Sequence, residues 1–232
     1  MLLLDTQVEA AELQLGMVGA AEGRYLRHQD NTDTILPYFN LQYGYLNAGA
    51  EGLMVNMPVS QTQTINIGLS LRDAAVMSTD FAQLNSRDTA VESRLGWSEL
   101  SPLGTFSATL AADISEVYQG YEFRLNYDGE YTFESVGDSW TYALGLSYQS
   151  SALVNYGYGV SAREADNELS RYRCDNGAWV LALNIGYLHP FTYHYLSYIG
   201  SSVNLFSAGI ADSPLVVRPW QTNLYIGLLY QF

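Results

Sequence analysis

Lysine is missing altogether from this sequence, so all ten basic residues are arginine, set against 24 acids for a formal net charge of −14. A surface of that sign repels phosphate, which argues against nucleic acid as a partner. Cysteine is nearly absent: Cys174 stands alone, so no intramolecular disulfide can form. Although 48% of the residues are apolar, no run of eighteen apolar residues occurs, and a helical membrane protein is excluded. Charged residues amount to 15%, well below the roughly 25% usual in soluble domains. The opening MLLLDTQVEA has no basic start and too short an apolar run for a secretory signal, so an export signal is expected to lie outside this sequence.

What is plentiful is tyrosine, with 19, and glycine, with 20. The last stretch, Trp220 to Phe232, shows how they are used. Trp220, Thr222, Leu224, Ile226, Leu228, Tyr230 and Phe232 alternate with Gln221, Asn223, Tyr225, Gly227, Leu229 and Gln231. Side chains of a strand alternate between its two faces, so one face meets an apolar medium and the other a wetter one. Aromatics at both ends of an aliphatic centre form the girdle-and-band pattern of a strand crossing an outer membrane. A buried sandwich strand is the bland alternative. Trp140 to Tyr148 and Trp179 to Tyr187 repeat the pattern independently.

Period-two segments recur along the chain at roughly twenty-residue spacing, separated by turns and longer loops. Eleven can be counted. Tyr45 to Gly49 reads as a turn, Asp73 to Arg87 as a loop, and Ser135 to Ser139 as a turn. Ala152 to Asn176 is the longest non-periodic stretch, His189-Pro190 a tight reversal, and Ser207 to Arg218 the last loop. Pro37 implies one missing ladder bond in the second segment. An open sheet edge in hydrocarbon leaves backbone groups unpaired at several kcal/mol each, so the sheet must close. With both chain ends in the periplasm the strand number must be even. The expectation is one domain over residues 1–232: an all-β, closed antiparallel up-and-down transmembrane barrel of 12 strands, with ten as the alternative. The missing strand is expected in the N-terminal third.

On the polar faces stand Arg72, Arg94 and Arg124 with Glu92, Glu122, Asp128 and Glu130. In a barrel these line the lumen, where guanidinium groups can fork onto carboxylates. They read either as a structural ladder or as a solute-selecting lining. Catalysis has little to build on: His28, His189 and His194 lack an adjacent serine, which leaves a Ser/His arrangement brought together by the fold, for instance His194 with Ser197. Glu164, Asp166 and Glu168 alternate in a loop, more as a solvated acidic run than a metal site, although they could bridge lipopolysaccharide phosphates through divalent cations. No cofactor, metal or enzymatic activity is expected.

Two loop motifs narrow the class. Asn155-Tyr156-Gly157-Tyr158-Gly159-Val160-Ser161, followed by Tyr172 and Gly177, resembles the Tyr-Tyr/Phe-Gly-Val-Ser segment of the MipA/OmpV family, with one extra glycine between the aromatics. Asp212-Ser213-Pro214-Leu215-Val216 resembles that family's Asp-Ser-Pro-Ile-Val ahead of the terminal strand; Leu36-Pro37 is a weaker match, and Arg72-Asp73 fits its Gly-Arg region only loosely. The resemblance implies a Gram-negative outer-membrane protein in contact with lipid and lipopolysaccharide. It implies a scaffold for periplasmic murein enzymes, a lytic transglycosylase and a murein synthase, with surface adhesion as another family role. It carries no catalytic residues over. The alternative from the residues alone is a small-solute channel.

Overall fold

A computed structural model describes residues 11–27, 32–74, 84–133 and 137–232. The strands are β1 (Glu12–Glu22), β2 (Thr32–Tyr43), β3 (Leu46–Gly49), β4 (Gly52–Pro58), β5 (Gln63–Arg72) and β6 (Ala90–Ser101). The remainder are β7 (Gly104–Asp113), β8 (Tyr121–Thr132), β9 (Ser139–Gln149), β10 (Ala178–Pro190), β11 (Tyr195–Phe206) and β12 (Trp220–Gln231). Two helices, α1 (Ser151–Tyr158) and α2 (Ala208–Ala211), lie in the loops before β10 and β12. Each strand pairs antiparallel with its chain neighbours, and β1 pairs with β12, closing a 12-stranded barrel. The closure extends to the last residue, where the Phe232 N–H donates to the Leu13 carbonyl at 3.0 Å.

The expected twelfth strand is β3, in the stretch read as a turn. Leu46–Gly49 is too short for alternation to show, yet it pairs with β2 on one side and β4 on the other. A second correction concerns His189-Pro190, which belong to β10; the reversal falls at residues 191–194. Pro37 costs no ladder bond. The Phe39 carbonyl faces Gly49 of β3, and residues two apart in a strand present their backbone to the same edge, so the Pro37 nitrogen faces away from its partner Met17 on β1. The Ser135 to Ser139 turn lies partly outside the described residues, as do His28 and residues 75–83 of the loop before β6.

The two faces behave as the alternation requires. On β12, Leu224 is 60% exposed on the outer face while its neighbour Asn223 is 6% exposed on the inner one. Aromatic pairs form girdles at both ends of the wall: Tyr148 with Trp179 at 5.1 Å near the loops, and Trp140 with Tyr187 at 5.2 Å near the turns. Both chain ends and the short turns lie at one end of the wall, which is therefore periplasmic; the longer loops lie at the other.

The fully buried large side chains are not in the wall at all. Leu26, Leu169, Ile210, Leu215, Val154 and Val160 form one core with Tyr25, Leu84, Tyr158 and Cys174, built by the extracellular loops. In the wall, the outer face looks to lipid and the inner face is mainly polar or small, with a few aliphatic residues such as Val18 and Leu229 among them. The loops alone must bury their apolar residues against one another.

Candidate functional site

The lumen charges come together across four strands. Arg72 on β5 reaches Glu92 on β6 and, at 2.6 Å, Glu122 on β8, which also accepts from Arg124 Nη2 at 2.9 Å. Ala111, standing opposite Glu122 on the intervening β7, is small enough to let the guanidinium pass. Ser70 and Tyr118 hydroxyls donate to Glu92 as well. Both carboxylates are nearly inaccessible, so their charge is carried by these contacts. Arg94 takes a different acid: its Nη1 donates to the Glu51 carboxylate at 2.5 Å and to the Glu51 carbonyl at 2.9 Å. Sequence reading missed Glu51 because it sits in a hairpin tip with no alternation to phase it. Asp128 and Glu130 are exposed and, among the described residues, pair with no arginine; Glu130 accepts from Thr132 at 3.3 Å.

The extracellular mouth is roofed. Ser150 caps α1 by accepting from the Leu153 N–H at 3.4 Å, and Gly159 ends it, leaving Leu153, Val154, Gly157 and Tyr158 as its buried side. Eight residues are too few for a helical period to stand out, and the stretch gave no helical signal. Arg87 ties the helix end down by donating to the Tyr156 carbonyl and, at 2.8 Å, to that of Gly159. The two family-like motifs meet here: Ser213 Oγ donates to the Tyr158 carbonyl at 2.7 Å, and the Tyr172 hydroxyl to Gly209 at 2.9 Å. Burial pushes the Tyr25 and Tyr158 phenols up, so they stay neutral in the roof. Glu164 is the roof's buried acid, accepting from the Asn85 main chain at 3.0 Å and the Ser161 main chain at 2.8 Å. Its burial works to raise the carboxyl, but these bonds and the Arg87 charge outweigh that and hold it below the usual carboxylate range. Asp166 accepts from the Glu168 and Leu169 N–H groups. Two of the acids considered for lipopolysaccharide bridging are thus engaged within the roof, Glu164 with two loops and Asp166 with its own.

Beneath the roof the interior is not filled. A cavity of about 410 Å³ runs under Tyr158 along Arg124, Asn126, Gly145, Asn184 and Asn204. Another of about 370 Å³ lies beside Arg94 and Glu51. At the periplasmic end a vestibule of about 710 Å³ is bounded by the Ser101 to Gly104 turn, Asp128, Glu130, Asn184 and Tyr198. The Tyr198 ring lies flat on Gly186 and Gly200, where any Cβ would come within 2.5 and 2.3 Å of it. Small residues and asparagines on β8 to β12 leave this room. Their repetition at alternate positions is the signal that sequence reading passed over.

Neither described histidine meets a serine hydroxyl through its ring. His189 Nδ1 faces Asp138 Oδ1 at 2.6 Å, and His194 Nδ1 faces the Gln231 carbonyl at 2.9 Å; Ser197 donates to the His189 main chain instead. Tyr187 also donates to Asp138, and with the His189 bond it holds that carboxyl below the usual range.

A closed wall with a lipid-compatible exterior, two aromatic girdles and a roofed polar lumen defines an outer-membrane β-barrel. Comparison with known proteins agrees. The model of the family described as MltA-interacting protein MipA matches residues 15–232, and the chain belongs to that family. It is similar to outer membrane protein OmpV of Vibrio cholerae, 25% identical over 226 residues, covering 94% of this chain and 85% of OmpV. It is similar also to MltA-interacting protein of Escherichia coli, 24% identical over 149 residues, covering 64% of this chain and 59% of that protein. Among solved structures, the NanC porin aligns with a TM-score of 0.49 and 11% identity, over 93% of this chain and 98% of the porin.

Proposed function

We propose that this chain is a non-catalytic docking protein that holds a murein enzyme, of the lytic-transglycosylase or murein-synthase kind, against the inner face of the outer membrane. The observation that carries this reading is the periplasmic rim, whose turn tips project large apolar side chains. Tyr193 is 99% exposed and Leu103 76%, with Val59 and Tyr45 more than half exposed on other turns of the same rim. Apolar and aromatic anchors around a polar rim are what protein interfaces are built from. The roof over the other mouth leaves this end as the accessible one, and the name of the Escherichia coli relative points to the same class of partner.

The test is affinity capture from detergent-solubilised envelopes of wild type and a Leu103→Asp/Tyr193→Asp variant. Murein enzymes are expected to co-purify with the wild type and to fall by about tenfold or more in the variant, the effect of losing about 1.4 kcal/mol. Equal capture by both, or none by either, removes the proposal. A solute channel is the second reading, favoured by the asparagine-lined cavities.

A further inference from the structure

Three of the ten arginines converge on one cleft in the extracellular roof. Arg87, from the loop before β6, and Arg171 and Arg173, from the loop before β10, line a space of about 510 Å³ in which Glu164 is the one acid of the lining. Three cations against one anion leave two positive charges in excess, in a chain whose formal net charge is −14.

The first family-like motif supplies the frame. Val160 and Tyr172 pair as an isolated antiparallel bridge, the Val160 N–H donating to the Tyr172 carbonyl at 2.9 Å and the Tyr172 N–H to the Val160 carbonyl at 3.0 Å. Asn155 clamps the next turn of chain: its Nδ2 donates to the Cys174 carbonyl and its Oδ1 accepts from the Cys174 N–H, both at 2.8 Å. Arg171 and Arg173 flank the bridged Tyr172, so both side chains start from a fixed stretch of backbone.

The positive charge is poorly met from within. Arg87 donates to the main-chain carbonyls of Tyr156 and Gly159, which are neutral acceptors. Arg173 has Asp175 at 3.6 Å with both side chains largely exposed, a pairing that contributes little. Arg171 is exposed and, among the described residues, pairs with no acid. Glu164 already accepts from the Asn85 main chain and side-chain amide, each at 3.0 Å, and from the Ser161 N–H.

Guanidinium groups are planar forks that match phosphate oxygens, and an excess of two charges suits a dianion better than a single carboxylate. A cleft of this volume takes a small organic molecule rather than a bare ion. We propose that it binds a phosphate monoester carried on a sugar, a chemistry presented both by soluble sugar phosphates and by the phosphorylated headgroup of lipopolysaccharide. The contact is direct, through arginine, and needs no divalent cation.

The test is calorimetric titration of the folded barrel in detergent, purified free of lipopolysaccharide, with glucose 1-phosphate in the presence of EDTA. Saturable binding is expected for the wild type and none with glucose. Arg171→Gln should weaken it about tenfold or more, the effect of losing one charge-assisted hydrogen bond. Arg163→Gln, which removes an exposed arginine of the same loop outside the cleft, should leave it unchanged. Heat-modifiable migration selects the folded barrels, and Arg173→Gln replaces Arg171→Gln should the latter fail to fold. Competition separates the two sources. Displacement of glucose 1-phosphate by intact but not by dephosphorylated lipopolysaccharide assigns the cleft to the lipid headgroup; displacement by neither assigns it to a soluble ligand. No binding of glucose 1-phosphate, equal binding of glucose, displacement by the dephosphorylated form, or equal affinities of the cleft variant and Arg163→Gln overturns the proposal.

Discussion

Replacing Leu215 by alanine is expected to open the roof and leave the barrel standing. Leu215 has no exposed surface and lies in the loop core with Ile210, Val154 and Cys174. Truncating a fully buried leucine costs about 2–5 kcal/mol, from lost transfer energy and the cavity left behind. That cost falls on a unit that touches the wall only at strand ends, whereas the wall is held by its own unbroken ladder from β1 through β12. Each 1.4 kcal/mol is about a tenfold change in population, so the open roof should become roughly thirtyfold to several thousandfold more frequent. Cys174 reports it without further engineering: it is the sole thiol, 6% exposed, with its Sγ donating to the Gly177 carbonyl at 3.3 Å. Maleimide alkylation of folded protein in detergent should accelerate by that factor while heat-modifiable migration stays unchanged. An unchanged alkylation rate, or loss of heat-modifiability in step with alkylation, would refute the separation of roof from wall.

Three further outcomes follow from the same geometry. Arg72→Gln strands Glu92 and much of the charge on Glu122 in the wall, and should lower unfolding free energy by about 3–5 kcal/mol in urea titrations, the usual effect of breaking a buried pair. Asp138, held below the usual carboxylate range by Tyr187 and His189, stabilises the folded form above that range and loses its contribution as pH falls through its folded value. The difference in melting temperature between wild type and Asp138→Asn should therefore be present at neutral pH, begin to shrink only below about pH 4, and vanish once the pH has fallen below the folded value. In planar bilayers the wild type should show no sustained openings, since Tyr158 and its neighbours lie over the lumen; steady ion-selective conductance would favour the channel reading.

The barrel was legible because its signal is local. Alternation in Trp220 to Phe232 or Trp140 to Tyr148 records which medium each face meets, and that is settled within one strand. Closure followed from the cost of an open edge in hydrocarbon, and an even strand number from having both chain ends on one side. β3 escaped because four residues cannot display a period. The lumen arginines could be placed on the inner face by phase alone, but not matched to acids: Arg94 chose Glu51 in a hairpin tip over Asp128.

The sequence by itself determined the class of protein, the family, the orientation of each long strand's two faces and the residues that look inward. Tertiary structure alone decided that the two family motifs clasp each other as a roof, that room is left in the interior beneath it, and that β3 and β4 are shorter than their neighbours. Facing is a property of neighbouring residues and survives in a one-dimensional string. Contact between Ser213 and Tyr158, 55 residues apart, and the relative height of strands depend on register accumulated around a closed sheet, which no single segment records.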